Sequence, residues 1–198
     1  LVEKNTARRY WFDGRGADTT TTNSNVNDVA HFESPTSANG VIGEQITSGN
    51  VLLGKVITSI SFWLYKLNSG SSGSETFTFG IWNSSGALQK EYGSVTRGQI
   101  SQGSAHGDAT KHTKTDSDGY VLQEDDIIGI RTNSAPSGWT VEVTQRDSDV
   151  YSNGQRAIFV QGSTPALTGK DIGFEVVSAT PATWTWDNLI SGFAGTWD

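Results

Sequence analysis

Residues 55–67 read Lys55-Val56-Ile57-Thr58-Ser59-Ile60-Ser61-Phe62-Trp63-Leu64-Tyr65-Lys66-Leu67. Ile60, Phe62 and Leu64 alternate with Ser61, Trp63 and Tyr65. In an extended chain successive side chains point to opposite faces, so this spacing predicts a strand with Ile60, Phe62 and Leu64 on its core side. A Gly/Ser loop at 68–74 interrupts it. The alternation resumes in Thr76-Phe77-Thr78-Phe79-Gly80-Ile81, with Phe77, Phe79 and Ile81 together. Asn83-Ser84-Ser85-Gly86 then supplies hairpin turn chemistry, because Asn and Gly tolerate positive φ. Residues 87–92 are the expected return strand.

Further strands are predicted at 8–12, 28–33, 126–131, 139–144, 156–160 and 171–177. The last places Ile172, Phe174 and Val176 on one face. The Thr19–Thr22 run lies in a segment, 15–27, read as a polar loop, and 96–119 is read as a long loop or a frayed edge strand. The one helical candidate, 188–193, is short. Nine or ten short strands with turns between them predict an all-β fold, an antiparallel β-sandwich of jelly-roll type with long polar loops. The whole chain, 1–198, reads as one domain. An immunoglobulin sandwich fits less well, since its Cys pair is absent.

Composition agrees. Charged residues are 18% of the chain, below the usual quarter or so, and Gly, Ser, Thr and Asn fill the gap. These residues disfavour long helices. Seven Trp argue for a folded domain rather than a disordered chain. The net charge of -7 leaves no basic face to meet phosphates, so no nucleic-acid partner is expected. No apolar run reaches the roughly 18 residues of a membrane span. With no Met, and with Leu1 first, the chain reads as a processed one, and with no Cys it has no disulfide.

Several groups of residues invite a chemical reading. Glu142, between Val141 and Val143, and Glu175, between Phe174 and Val176, are acids within apolar strands; such a pair across a groove would suit glycoside hydrolysis. Against that stands the plainer role of solvated charges on an outer face, and no catalytic residue is assigned. Asp116-Ser117-Asp118-Gly119 sets two carboxylates before a turning Gly, so Asp116 and Asp118 are the candidate Ca²⁺ ligands, but Lys114 occupies a position an EF-hand would give to an oxygen ligand. Asp147 and Asp149 repeat the spacing. His106 and His112 fit no common zinc spacing.

Trp63, Tyr65 and Trp82 stand opposite the apolar sets. If their faces meet solvent, they form an aromatic strip for a glycan or a neighbouring subunit. If both faces are covered, they are core. Asn83-Ser84-Ser85 also matches the N-glycosylation acceptor tripeptide. At the ends, Tyr10, Trp11 and Phe12, and Trp184, Trp186 and Trp197, make aromatic segments; 183–187 alternates like a strand. Segments 1–12 and 183–198 are therefore candidates for exchange with neighbouring copies, since a terminal strand can add to an open sheet edge. Such head-to-tail addition builds filaments or shells.

The two stretches 56–66 and 76–86, with Asp125-Asp126-Ile127-Ile128-Gly129-Ile130-Arg131, resemble the jelly-roll modules of archaeal and bacterial surface proteins and their viruses. The resemblance covers about half the chain and departs at 15–27 and 96–119. It implies a non-catalytic protein placed outside the cell, on a cell surface or on a virion surface. The leading expectation is a structural or adhesive subunit that self-assembles as a homo-oligomer or polymer into a filament, sheath or virion component. The alternatives are a carbohydrate-binding module or lectin and, third, a jelly-roll glycoside hydrolase.

Overall fold

The computed structural model describes residues 17–23, 28–31, 38–67, 73–134, 140–149 and 151–181, the backbone alone for 28–31. The strands are β1 (Thr19–Asn23), β2 (Asp28–His31), β3 (Gly40–Ile46), β4 (Val56–Lys66), β5 (Thr76–Trp82), β6 (Leu88–Thr96), β7 (Thr110–Val121), β8 (Ile127–Thr132), β9 (Val141–Arg146), β10 (Gly154–Val160), β11 (Ala166–Thr168), β12 (Asp171–Ile172) and β13 (Phe174–Ala179). Two 3₁₀ turns, at 97–99 and 106–108, are the only helical elements among the described residues.

All ladders are antiparallel, in two sheets. Strands β2 to β9 pair as nested partners: β5 with β6, β4 with β7, β3 with β8 and β2 with β9. These pairs fall alternately into the two sheets, as in a long hairpin rolled on itself, which is the jelly-roll arrangement. The later strands enlarge it. β10 and β11 extend the six-stranded sheet beyond β3. β13 takes the β4 edge from Val56 to Phe62, and β9 keeps that edge only at Leu64–Lys66. β1 then adds outside β13.

The core lies between the sheets, and the alternation places it. Ile60, Phe62 and Leu64 are fully buried there, facing Phe77, Phe79 and Ile81 from the opposite sheet. Phe62 and Phe79 meet at 5.4 Å between ring centroids. Full burial of each such side chain is worth about 1.5–3 kcal/mol. Val141, Val143, Ile172, Phe174 and Val176 complete the same cluster. Within β4 simple alternation fails at Thr58. There the β4–β7 and β4–β13 registers both shift, so Ile57 and Ile60, three apart, both point inward.

The structure adds β3, Gly40–Ile46, where no strand was expected. Thr19–Asn23, read as a loop, is an edge strand, and Thr110–Val121 takes the edge-strand alternative as a continuous twelve-residue strand. Neither has an apolar face of its own. Each is held by backbone pairing to a neighbour with a strong one, β13 for β1 and β4 for β7. The predicted strand at 8–12 and the helical candidate at 188–193 lie outside the described residues.

Candidate functional site

The face of the seven-stranded sheet that points away from the core carries Trp63, Tyr65, Glu142 and Glu175. Trp63 and Tyr65 project there from β4, opposite in parity to Leu64. Trp63 is partly exposed. The Lys111 Nζ sits 5.7 Å from its ring centroid, from the adjoining β7. Lys111 also ion-pairs with Glu175 of β13, whose other oxygen accepts the Thr22 hydroxyl of β1 at 3.3 Å. Four strands thus meet around one ring, through Thr22, Glu175, Trp63 and Lys111.

Tyr65 is different. It is only 2% exposed, and its hydroxyl donates to Glu142 Oε2 on β9, directly opposite in register. The segment after β6 closes over it. Lys66 N–H donates to Ser101 at 2.9 Å and Gly103 N–H to Lys66 at 3.0 Å. A Cβ on Gly103 would lie 2.9 Å from Tyr65 Cδ2. The Asp108 carboxylate secures this flap by accepting the Ser104 and Ala105 amides at 2.7 and 3.1 Å, and those amides hold its pKa below the ordinary value.

Trp82 cannot join these rings. It lies on the outward face of the other sheet, so the sandwich separates it from Trp63 and Tyr65. It is fully buried within a second apolar cluster of Val41, Ile127, Ala157 and Phe159. The reason is a row of small residues across four strands: Ala157 pairs with Gly43, Gly43 with Gly129, and Gly129 with Gly80. The flanking side chains fold into that trough. A Cβ at Gly80 would lie 3.0 Å from Trp82 Cη2, and one at Gly43 would lie 2.7 Å from Ile127 Cγ2. Trp82 packs edge-on to Phe159 and donates from Nε1 to Gln161 Oε1 at 3.2 Å. Of the three rings expected to form a strip, two are interior and one is accessible.

Glu142 and Glu175 share the outward face. Glu142 stands opposite Tyr65 and Glu175 opposite Ser61, on the same edge of β4. Four residues of strand separate their backbones by about 13 Å. Each is committed to a partner of its own, Tyr65 for one and Lys111 with Thr22 for the other.

The Asp-x-Asp-Gly segment has a structural task. Asp116 Oδ1 accepts the Asp118 and Gly119 amides at 2.9 and 3.3 Å, and Oδ2 pairs with Lys90 at 2.8 Å. Lys90, then those amides, hold the Asp116 pKa below its ordinary value. A Cβ on Gly119, at φ +60°, would lie 2.7 Å from the Ile57 carbonyl, so the Asp116–Gly119 turn shapes β7 around the Thr58 bulge. Asp147 pairs with Lys170. His112 meets Thr110 Oγ1 at 3.2 Å, with its pKa lowered by burial and by Lys114. Among the described residues no cluster of three metal-ligating side chains occurs.

The sequence reading passed over one acid with an unusual position. Glu44 shares parity with Ile42 and Ile46, so it projects into the core and is fully buried. Burial pushes its pKa well above the ordinary value; the Ile172 amide opposes this, while the charge and hydrogen bond of Asp171 add to it. Asp171, also fully buried, accepts the Tyr151 amide at 2.7 Å. The signal was available, since an acid at an apolar parity position in Val41-Ile42-Gly43-Glu44-Gln45-Ile46 must enter the core. The terminal aromatics Tyr10, Trp11, Phe12, Trp184, Trp186 and Trp197 lie outside the described residues.

No protein-family description, curated protein or solved structure matches this chain.

Proposed function

We propose that this chain is a non-catalytic structural or adhesive subunit, working outside the cell, that assembles with copies of itself through strand addition. The observation that carries the reading is the edge strand β1. It reads Thr-Thr-Thr-Thr-Asn, carries no charge and no Pro, and is mostly exposed. Among the described residues it pairs on one side alone, with β13. Proteins that avoid edge association place charges on edges or keep them very short. Here β7 carries Lys111, Lys114, Asp116 and Asp118, and β11 has three residues. β1 has neither protection.

The donor in this reading is the segment 183–187 of a second copy, Thr-Trp-Thr-Trp-Asp. It would add main-chain hydrogen bonds to β1 and set Trp184 and Trp186 on one face. Because donor and acceptor differ, each copy can donate to the next, and the contact can propagate head to tail. The separate partners of Glu142 and Glu175, Tyr65 for one and Lys111 with Thr22 for the other, support the non-catalytic part. Electron microscopy and sedimentation of the full chain test the proposal. Concentration-dependent polymers are expected, lost on deletion of 183–198 and weakened by Thr20→Lys. A full-length chain that stays monomeric at all concentrations overturns it.

A second reading, glycan binding, rests on Trp63. It is the accessible ring of the three, with Lys111 and Glu175 beside it as hydrogen-bonding groups. Retention on polysaccharide columns, lost on Trp63→Ala, is the expected behaviour under that reading.

A further inference from the structure

We infer that Asn83 is an N-glycosylation site, taking a single oligosaccharide at the tip of the β5–β6 hairpin. Asn83-Ser84-Ser85 is the sole Asn-x-Ser/Thr tripeptide in the chain. The tripeptide alone is a common one; the geometry of this copy is the further argument. Asn83 uses one side-chain atom as an acceptor for three donors. Its Oδ1 receives the Ser85 amide at 3.1 Å, the Ser85 hydroxyl at 2.7 Å and the Ala87 amide at 2.9 Å. Its Nδ2, the atom that would be modified, makes no hydrogen bond within the described residues. A glycan on Nδ2 therefore leaves every bond of the turn in place.

The surroundings are suited to a bulky modification. Ser84 and Ser85 are exposed. The opposite side of the turn is pinned to the protein. Asn83 and Ala87 close the hairpin at 2.9 Å, Gly86 N–H donates back to Asn83 at 2.8 Å, and Gly162 N–H donates to the Gly86 carbonyl at 2.8 Å. Gly86, at φ +78°, is packed so closely that a Cβ would collide with the Ser163 carbonyl. The inward half of the turn is thus fixed and the outward half faces solvent. A glycan there is carried on the six-stranded sheet, whereas β1 belongs to the other, so assembly through β1 is not obstructed.

In the transfer, Asn83 Nδ2 attacks the anomeric carbon of a polyprenyl-diphosphate-linked oligosaccharide. The C–N bond forms as the bond from that carbon to the diphosphate oxygen breaks. Nδ2 gives one proton to a base of the transferase, and the polyprenyl diphosphate leaves with the electron pair. Ser85 holds the amide in place through its hydroxyl and its N–H.

The test is intact-mass spectrometry of the folded full chain after incubation with an oligosaccharyltransferase whose acceptor rule is Asn-x-Ser/Thr alone, and with its lipid-linked donor. One oligosaccharide per chain is expected, located at Asn83 by peptide mapping. Ser85→Thr should retain it and Ser85→Ala should lose most of it. Asn83→Asp keeps the Oδ1 acceptor and hence the turn, yet removes Nδ2; it should carry none while unfolding at an unchanged denaturant midpoint. A folded chain that stays unmodified, or that is modified only after unfolding in urea, overturns the inference. Neither outcome bears on assembly, which is read by sedimentation.

Discussion

Glu44 Oε2 accepts the Ile172 amide proton at 2.8 Å, a hydrogen bond that crosses the sandwich from β3 to β12. A carboxyl group in this position joins the two sheets at the cost of burying an ionisable group. The energetic consequence follows from the direction of its pKa shift. With the folded value raised, the folded state holds a proton that the unfolded chain releases above about 4.5.

Stability due to Glu44 is therefore fully present below pH 4.5 and lost as pH rises towards its folded-state pKa. Glu44→Gln keeps an acceptor for Ile172 and cannot ionise. It should stabilise the protein at pH 8, by on the order of 1–3 kcal/mol, and change it little at pH 4. Denaturant unfolding at the two pH values checks this. Equal effects at both would show that ionisation is not the cause.

Gly43 lies at the centre of the small-residue row. A Cβ there would meet the Ile128 carbonyl at 2.5 Å and Gly129 Cα at 2.8 Å, both backbone atoms that cannot swing aside. Gly43→Ala should lose about 1–3 kcal/mol or more. Gly107→Ala is the control, since no atom lies within 4 Å of its added Cβ, and it should stay within about 0.5 kcal/mol of the parent. Unfolding midpoints compare the two.

Tyr65 and Lys111 separate a buried polar contact from an accessible one. Tyr65→Phe withdraws a donor from the buried Glu142 and should cost about 1–3 kcal/mol. Lys111→Ala breaks an ion pair whose side chains are 39% and 20% exposed, so the loss should be under about 1 kcal/mol and shrink in high salt. A large, salt-independent loss for Lys111→Ala would indicate that its packing on Trp63 dominates.

Asp116 serves the turn in this geometry, with Oδ1 accepting backbone amides and Oδ2 paired with Lys90. Titration of Ca²⁺ into chelator-treated protein should give no heat, and chelator should leave the melting temperature unchanged. Asp116→Asn keeps the acceptor for the Asp118 amide and should unfold later than Asp116→Ala. Binding heat that disappears in Asp116→Ala would restore the metal reading.

The alternation in Ile60-Phe62-Leu64, Phe77-Phe79-Ile81, Val141-Val143 and Ile172-Phe174-Val176 was enough to name the core and the fold class. Period two is a local property of extended backbone, and half-buried strands write it into the chain. The turn at Asn83–Gly86 was equally legible, because its chemistry lies within four residues. β1 was not legible, and β7 only as one of two alternatives. Their side chains carry no periodic apolar signal, and their extended form is imposed by ladders to β13 and β4.

For the candidate site, the division is sharper. The sequence determined which side of its own strand each of Trp63, Tyr65 and Trp82 occupies. Tertiary structure alone decided that Trp63 and Trp82 lie on opposite outer faces of the sandwich, that residues 101–108 close over Tyr65, and that a row of glycines draws Trp82 inward. Alternation specifies a face relative to neighbours in the chain. It carries no information about which sheet a strand joins or what is laid over it, since those depend on pairings between residues far apart in sequence.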